Sequence, residues 1–188
     1  MITAKQKALL IMILSVIGVL CVYSMRYPLE NSRAAIQYQL VDWENKLADR
    51  PLSDHSILEL INVIHLENST TYVAFYRAGQ DLRLVVLKEG LNKKLRTVHV
   101  GTKHHTFDYT GIETNKGPYG IISGRNTDEE IDSVQVKLQN FHYEYRMKVP
   151  ETPCVIHAMK LPREVNQKTY ADLYFFNKKD QKILLKSL

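Results

Sequence analysis

The hydropathy pattern changes twice along the 188-residue chain. The first regime is the run ALLIMILSVIGVLCVYSM between Lys7 and Arg26, 18 residues without a charge and apolar on every helical face. At about 1.5 Å per residue such a helix spans roughly 27 Å, enough for the hydrocarbon core of a bilayer. A core helix of a soluble domain normally keeps a polar stripe, and this run has none. The pattern therefore predicts a transmembrane helix over 8–25 behind a short cytoplasmic tail, 1–7. A cleaved signal peptide needs a shorter apolar region and a small-x-small site. Val22 and Ser24 before Met25 make a poor version of that site, so a retained signal anchor is expected.

The second regime has a helical period. Leu29, Ile36, Leu40, Trp43 and Leu47 fall on one stripe, with Pro28 before it and Pro51 after it. This predicts an amphipathic helix over 29–49, inside a juxtamembrane segment 26–52, with Pro at its first position and Pro as its stop. Asp42 and Lys46 form an i, i+4 pair on its polar side. The stripe has two uses. It packs on the chain's own β domain, or it makes a weak homodimer through residues 29–47 as a short coiled coil. Fewer than three heptads are present, which favours the first.

From about Leu60 the period becomes two. LINVIHL, TYVAFYR, LRLVVLK and KLRTVHV follow one another across the turn segments ENST, AGQD and EGLNK. HTFDYT, YGIIS, IDSVQVKL, NFHYEYRMKV, CVIHAMKL, YADLYFF and KILLKSL continue the series. Short β-branched and aromatic runs punctuated by Gly, Asn and Asp read as antiparallel strands. No segment reads as a crossover helix, so a parallel sheet is disfavoured. The fold class expected is mainly β: one N-terminal transmembrane helix, one amphipathic juxtamembrane helix, then an antiparallel β-sandwich or partly open barrel over 53–188.

Charge sharpens this picture. A sequence pI near 9.1 invites a nucleic-acid reading. However, Lys5, Lys7 and Arg26 flank the apolar run, and residues 27–188 hold 22 Lys and Arg against 20 Asp and Glu. No nucleic-acid partner is implied. The flanking charges put the N-terminus in the cytoplasm and the β domain outside it, on a modest positive-inside bias. The two cysteines, Cys21 in the apolar run and Cys154 in a strand, have no route to an intrachain disulfide.

The pairing of TYVAFYR with LRLVVLK, the spacing of YGIIS before IDSVQVK, and the closing YADLYFFNKKDQKIL resemble small membrane-anchored exported β-domain proteins of Gram-positive bacteria. The resemblance covers about residues 60–186. It implies an anchored β architecture and export, and it carries no activity.

Candidate chemistry is sparse. His99, His104, His105 and Asp108 lie within ten residues and are the candidate metal ligands. Their spacing matches no standard zinc motif. Adjacent histidines on a strand would also face opposite ways. Phe141, Tyr143 and Tyr145 share one strand face, the candidate binding surface; the competing reading is the covered side of a sheet. YGIISG is not a nucleophile elbow. Cys154 and His157 would point to opposite faces of one strand. Asp128, Glu129, Glu130 and Asp132 form an acidic loop without the ligand order of a calcium site. No cofactor is expected and no reaction class is forced. The function expected is a single-pass, membrane-anchored extracytoplasmic binding or interaction module, whose partner is another envelope protein or a cell-wall component. The alternatives are a metal-assisted hydrolase built on the His/Asp cluster and a structural subunit of an envelope assembly.

Overall fold

The computed structural model describes residues 4–47, 58–101, 107–126, 130–139, 141–165 and 169–183. Helix α1, Ala4–Arg26, carries the apolar run and is the one described helix long and apolar enough to cross a membrane. Its candidate span is not covered by the rest of the protein. The helix stops where Pro28 cannot supply an N–H, and the Tyr27 N–H closes the last turn on the Ser24 carbonyl at 3.2 Å.

The second helix starts later than the stripe predicts. Helix α2 is Arg33–Leu47, and Pro28 does not open it. Ser32 is its N-cap: the Ser32 hydroxyl accepts from the Ala35 N–H at 3.2 Å, and its carbonyl accepts from the Ile36 N–H at 3.0 Å. Leu29 is instead extended and bridges Leu95, with N···O distances of 3.1 and 2.6 Å. Residues 48–52 lie outside the described residues.

The period-two segments form strands where they are described, except that NFHYEYRMKV is strand only from Glu144; residues 184–188 of KILLKSL lie outside the described residues. They are β1 Leu58–His65, β2 Thr71–Ala78, β3 Asp81–Glu89, β4 Leu95–Val100, β5 Phe107–Thr114, β6 Gly117–Arg125, β7 Ser133–Leu138, β8 Glu144–Lys148, β9 Cys154–Lys160, β10 Ala171–Phe176 and β11 Lys182–Ile183. Every ladder is antiparallel. The strand orders are β1-β2-β3-β4, β5-β6-β9 and β11-β10-β7-β8, and among the described residues no sheet closes into a barrel. Two turns use residues that tolerate a left-handed backbone: Asn68 at φ 54° joins β1 to β2, and Asp180 at φ 60° precedes β11.

Strand alternation sorts the core into layers. In β3, Val85 and Leu87 face α2, where Ile36 and Leu40 meet them; Leu84 and Val86 face the opposite way. There they meet Ile112, Tyr119 and Ile121 of the β5-β6-β9 sheet. Ile122 on the other face of β6 packs with Val134, Val136, Met147 and Phe175 of the third sheet. The β5-β6-β9 sheet thus shares one core cluster with the first sheet and another with the third, and α2 packs on the first. Burying Ile36 and Leu40 contributes roughly 2 kcal/mol each to this packing. A buried network locks it: Glu44 on α2 accepts from the Tyr76 hydroxyl at 2.7 Å and from Arg83 through both carboxylate oxygens at 2.7 Å. Leu29, Ile36 and Leu40 of the apolar stripe are therefore buried against the chain's own sheet.

The layering positions one end of the domain. The β1–β2 turn, the β3–β4 turn and the β5–β6 turn all lie there. The Glu89 N–H donates to the Thr70 carbonyl at 2.7 Å, and the Thr70 N–H donates to Asn115 Oδ1 at 3.0 Å. The end of α1 joins the same end, because the Leu91 N–H donates to the Tyr23 hydroxyl at 2.9 Å.

Candidate binding cleft

A polar cleft of about 640 Å³ opens where these turns meet the end of β9. Glu67, Glu113, Asn115, Lys116, Lys160 and Arg163 line it. Its floor is backbone held by short local bonds. Thr114 Oγ1 donates to the Gly117 carbonyl at 2.8 Å and accepts from the Lys116 N–H at 3.0 Å, which fixes the two-residue turn. The Tyr119 hydroxyl donates to the Glu67 carbonyl at 3.3 Å, tying the first turn to β6. The Leu161 N–H donates to the Pro118 carbonyl at 3.0 Å and sets where Lys160 and Arg163 leave the sheet. The charged side chains are exposed on this rigid frame.

Three cations and two carboxylates around one cleft suit a ligand that presents both acceptors and donors. A second cavity of about 360 Å³ shares Glu67 and Lys160 with it and continues along Tyr119, Ile156 and His157. Together they make a groove that changes from charged to partly apolar along its length.

The aromatic face expected for binding lies beside this groove, turned inward. Phe141, Tyr143 and Tyr145 are half-buried and pack against the core between the second and third sheets. Phe141 and Tyr143 precede β8 rather than belonging to it. The Tyr143 hydroxyl donates to the Lys160 carbonyl at 3.4 Å. Tyr145 stacks on His157 with its hydroxyl 2.9 Å from Nε2. Burial lowers the His157 pKa from its ordinary value. It also pushes the Tyr109 phenol up to about 12, with the neighbouring Tyr143 adding to the rise. The ring of Tyr109 lies over Gly120, where a Cβ would come within 2.7 Å of it.

Of the four candidate metal ligands, His99 and Asp108 are among the described residues. His104 and His105 lie outside the described residues. His99 is exposed on β4, opposite Val86. Asp108 is on β5, and its Oδ1 accepts from the Tyr109 N–H at 2.7 Å. Among the described residues no group of three or more His, Cys, Asp or Glu is arranged to hold a metal. Ser123 is 1% exposed and its hydroxyl has no partner among the described residues, which is a core position and not a nucleophile's. Asp128 and Glu129 of the acidic loop lie outside the described residues.

Sequence reasoning missed the cleft. Its cations come from the β5–β6 turn and from the chain after β9, and they are brought together by sheet packing. ETNKGP alone, a charged turn sequence, could have pointed to it. Comparison of the chain with protein-family models, curated proteins and solved structures gives no match.

Proposed function

We propose that this chain is a single-pass membrane-anchored interaction module, with the charged groove as its recognition site and another envelope protein or a cell-wall component as its partner. One observation carries the reading: the groove opens at the end of the domain to which α1 is clamped. A ligand held there would lie close to the membrane surface and in a fixed relation to it. The clamp has three parts. Tyr23 bonds the β3–β4 turn, Leu29 bridges Leu95, and the Tyr27 ring sits so close to Gly90 that a Cβ there would come within 2.8 Å of it. The flanking charges support an extracytoplasmic domain.

Photocrosslinking in cells tests the reading. A photoreactive residue at Lys116 should give a discrete adduct that one at Gln80, at the opposite end, does not. The adduct should be lost on combining Lys160→Glu with Arg163→Glu. Equal crosslinking at both ends, or an adduct indifferent to the charge reversals, would remove the groove as the recognition site.

A further inference from the structure

The β3–β4 turn combines three features that the groove does not use. Leu91 at its tip is 89% exposed, the most exposed large hydrophobic residue among those described. Its backbone N–H is held by Tyr23, two residues before the end of the apolar run. Cations stand around and behind it. Arg26 is exposed, Lys93 and Lys94 follow in the turn, and the Arg96 guanidinium lies 5.0 Å over the Tyr27 ring. The nearby carboxylates are Glu30 and Glu89, and Glu89 is engaged by the Tyr72 hydroxyl at 2.9 Å and by Lys93 at 3.1 Å.

We propose that this turn is a second membrane contact: Leu91 enters the acyl region, and Arg26, Lys93, Lys94 and Arg96 meet anionic lipid headgroups. The inference rests on α1 crossing the bilayer. Given that, the depth follows from the geometry. Tyr23 belongs to the last turn of the span, so the backbone it holds is level with the membrane interface. A leucine at the tip with cations set behind it matches the order of acyl chains and headgroups along the bilayer normal. Tyr23 and Tyr27, with ring centroids 5.1 Å apart, supply the aromatic pair that favours the same depth. Two points of contact, helix and turn, would fix the tilt of the domain on the membrane. One flexible tether would not.

The test uses the full chain in lipid nanodiscs, with Cys21 and Cys154 replaced and one environment-sensitive fluorophore placed in turn at L91C, L14C or Q80C. The Leu91 label should be quenched by shallow spin-labelled lipid and protected several-fold from aqueous iodide relative to the Gln80 label. That protection should be greater in phosphatidylglycerol-rich discs than in phosphatidylcholine discs. The difference should vanish with Lys93→Glu and Lys94→Glu while the Gln80 signal stays unchanged. A Leu14 label in lipid with the Leu91 label in water overturns this proposal and leaves the anchor standing. A Leu14 label in water overturns both. Protection of Leu91 from iodide without quenching by lipid would mean a protein contact and also overturns it. Equal protection in both lipids would overturn the headgroup preference.

Discussion

His157 shows what a single position in the core tolerates. Its ring faces the third sheet from β9, stacked on Tyr145, and the neutral imidazole satisfies the Tyr145 hydroxyl across the two sheets. Burial disfavours the cation, so the folded pKa lies below the ordinary 6.5. The sign follows by linkage: the unfolded chain takes up the proton first. Stability is therefore full above about pH 6.5 and is lost as pH falls through that value toward the lowered folded pKa. The melting temperature of the wild type should drop more steeply between neutral and mildly acidic pH than that of His157→Gln. Parallel profiles would show that His157 does not titrate across folding. Tyr145→Phe should cost about 1 kcal/mol by leaving Nε2 without its partner. Ser123→Ala should be neutral or stabilising by up to about 1 kcal/mol, since the buried hydroxyl has no bond to lose among the described residues. A large loss on Ser123→Ala, read by thermal unfolding, would mean that the hydroxyl has a partner outside them.

The elements were legible in the sequence wherever a period persisted. TYVAFYR and LRLVVLK became β2 and β3 almost to the residue, because strands that bury both faces in different layers read as short, nearly continuous apolar runs between turn residues. The start of α2 was misread because Leu29 fits the helical stripe while belonging to an extended bridge. The stripe records that Leu29, Ile36 and Leu40 enter one core, and it cannot say by which backbone. The better signal was Ser32, a capping residue just before RAAI. What holds α2 down is equally specific. Glu44 is 6% exposed and accepts from both the Tyr76 hydroxyl and Arg83, and burial with that carboxylate pushes the Tyr76 phenol far up. Glu44→Ala would leave the buried Tyr76 phenol without its acceptor and the largely buried Arg83 guanidinium with Asp81, 3.7 Å away, in place of its closest carboxylate, and should cost about 3 kcal/mol. In detergent the variant should melt earlier and be cut by protease within α2 before the sheets are. Intact α2 with an unchanged melting temperature would show that apolar packing alone suffices. Gly90→Ala acts on the other junction: the added Cβ displaces the Tyr27 ring and should expose the end of α1 to protease while leaving the sheets protected.

At the scale of the whole molecule, composition could say that an apolar helix precedes a β domain. It could not say that the domain's turns gather at the helix end, because that depends on how three sheets stack. The groove was invisible for the same reason: Lys116, Lys160 and Arg163 are ordinary surface cations until β6 and β9 pair. The proposal that the domain lies outside the cytoplasm rests on the flanking charges, and Cys154 tests it. The residue begins β9, at the end of the domain away from α1, and lines a cavity of about 430 Å³ with Glu59 and Arg77. It is half-buried, and burial raises its thiol pKa, partly offset by Arg125 and Arg77. The reactive thiolate is therefore scarcer at neutral pH than for an exposed cysteine, and labelling should accelerate as pH rises through and beyond the ordinary thiol value. Cys21 sits in the candidate span, where lipid shields it from a charged reagent. In intact cells a membrane-impermeant maleimide should thus label the chain at Cys154 alone, faster at mildly alkaline pH, and C154S should abolish the signal. Labelling that appears only after the membrane is opened would put the β domain, its groove and its basic turn in the cytoplasm. The anchor and the fold would stand, and the partner would have to be sought on that side.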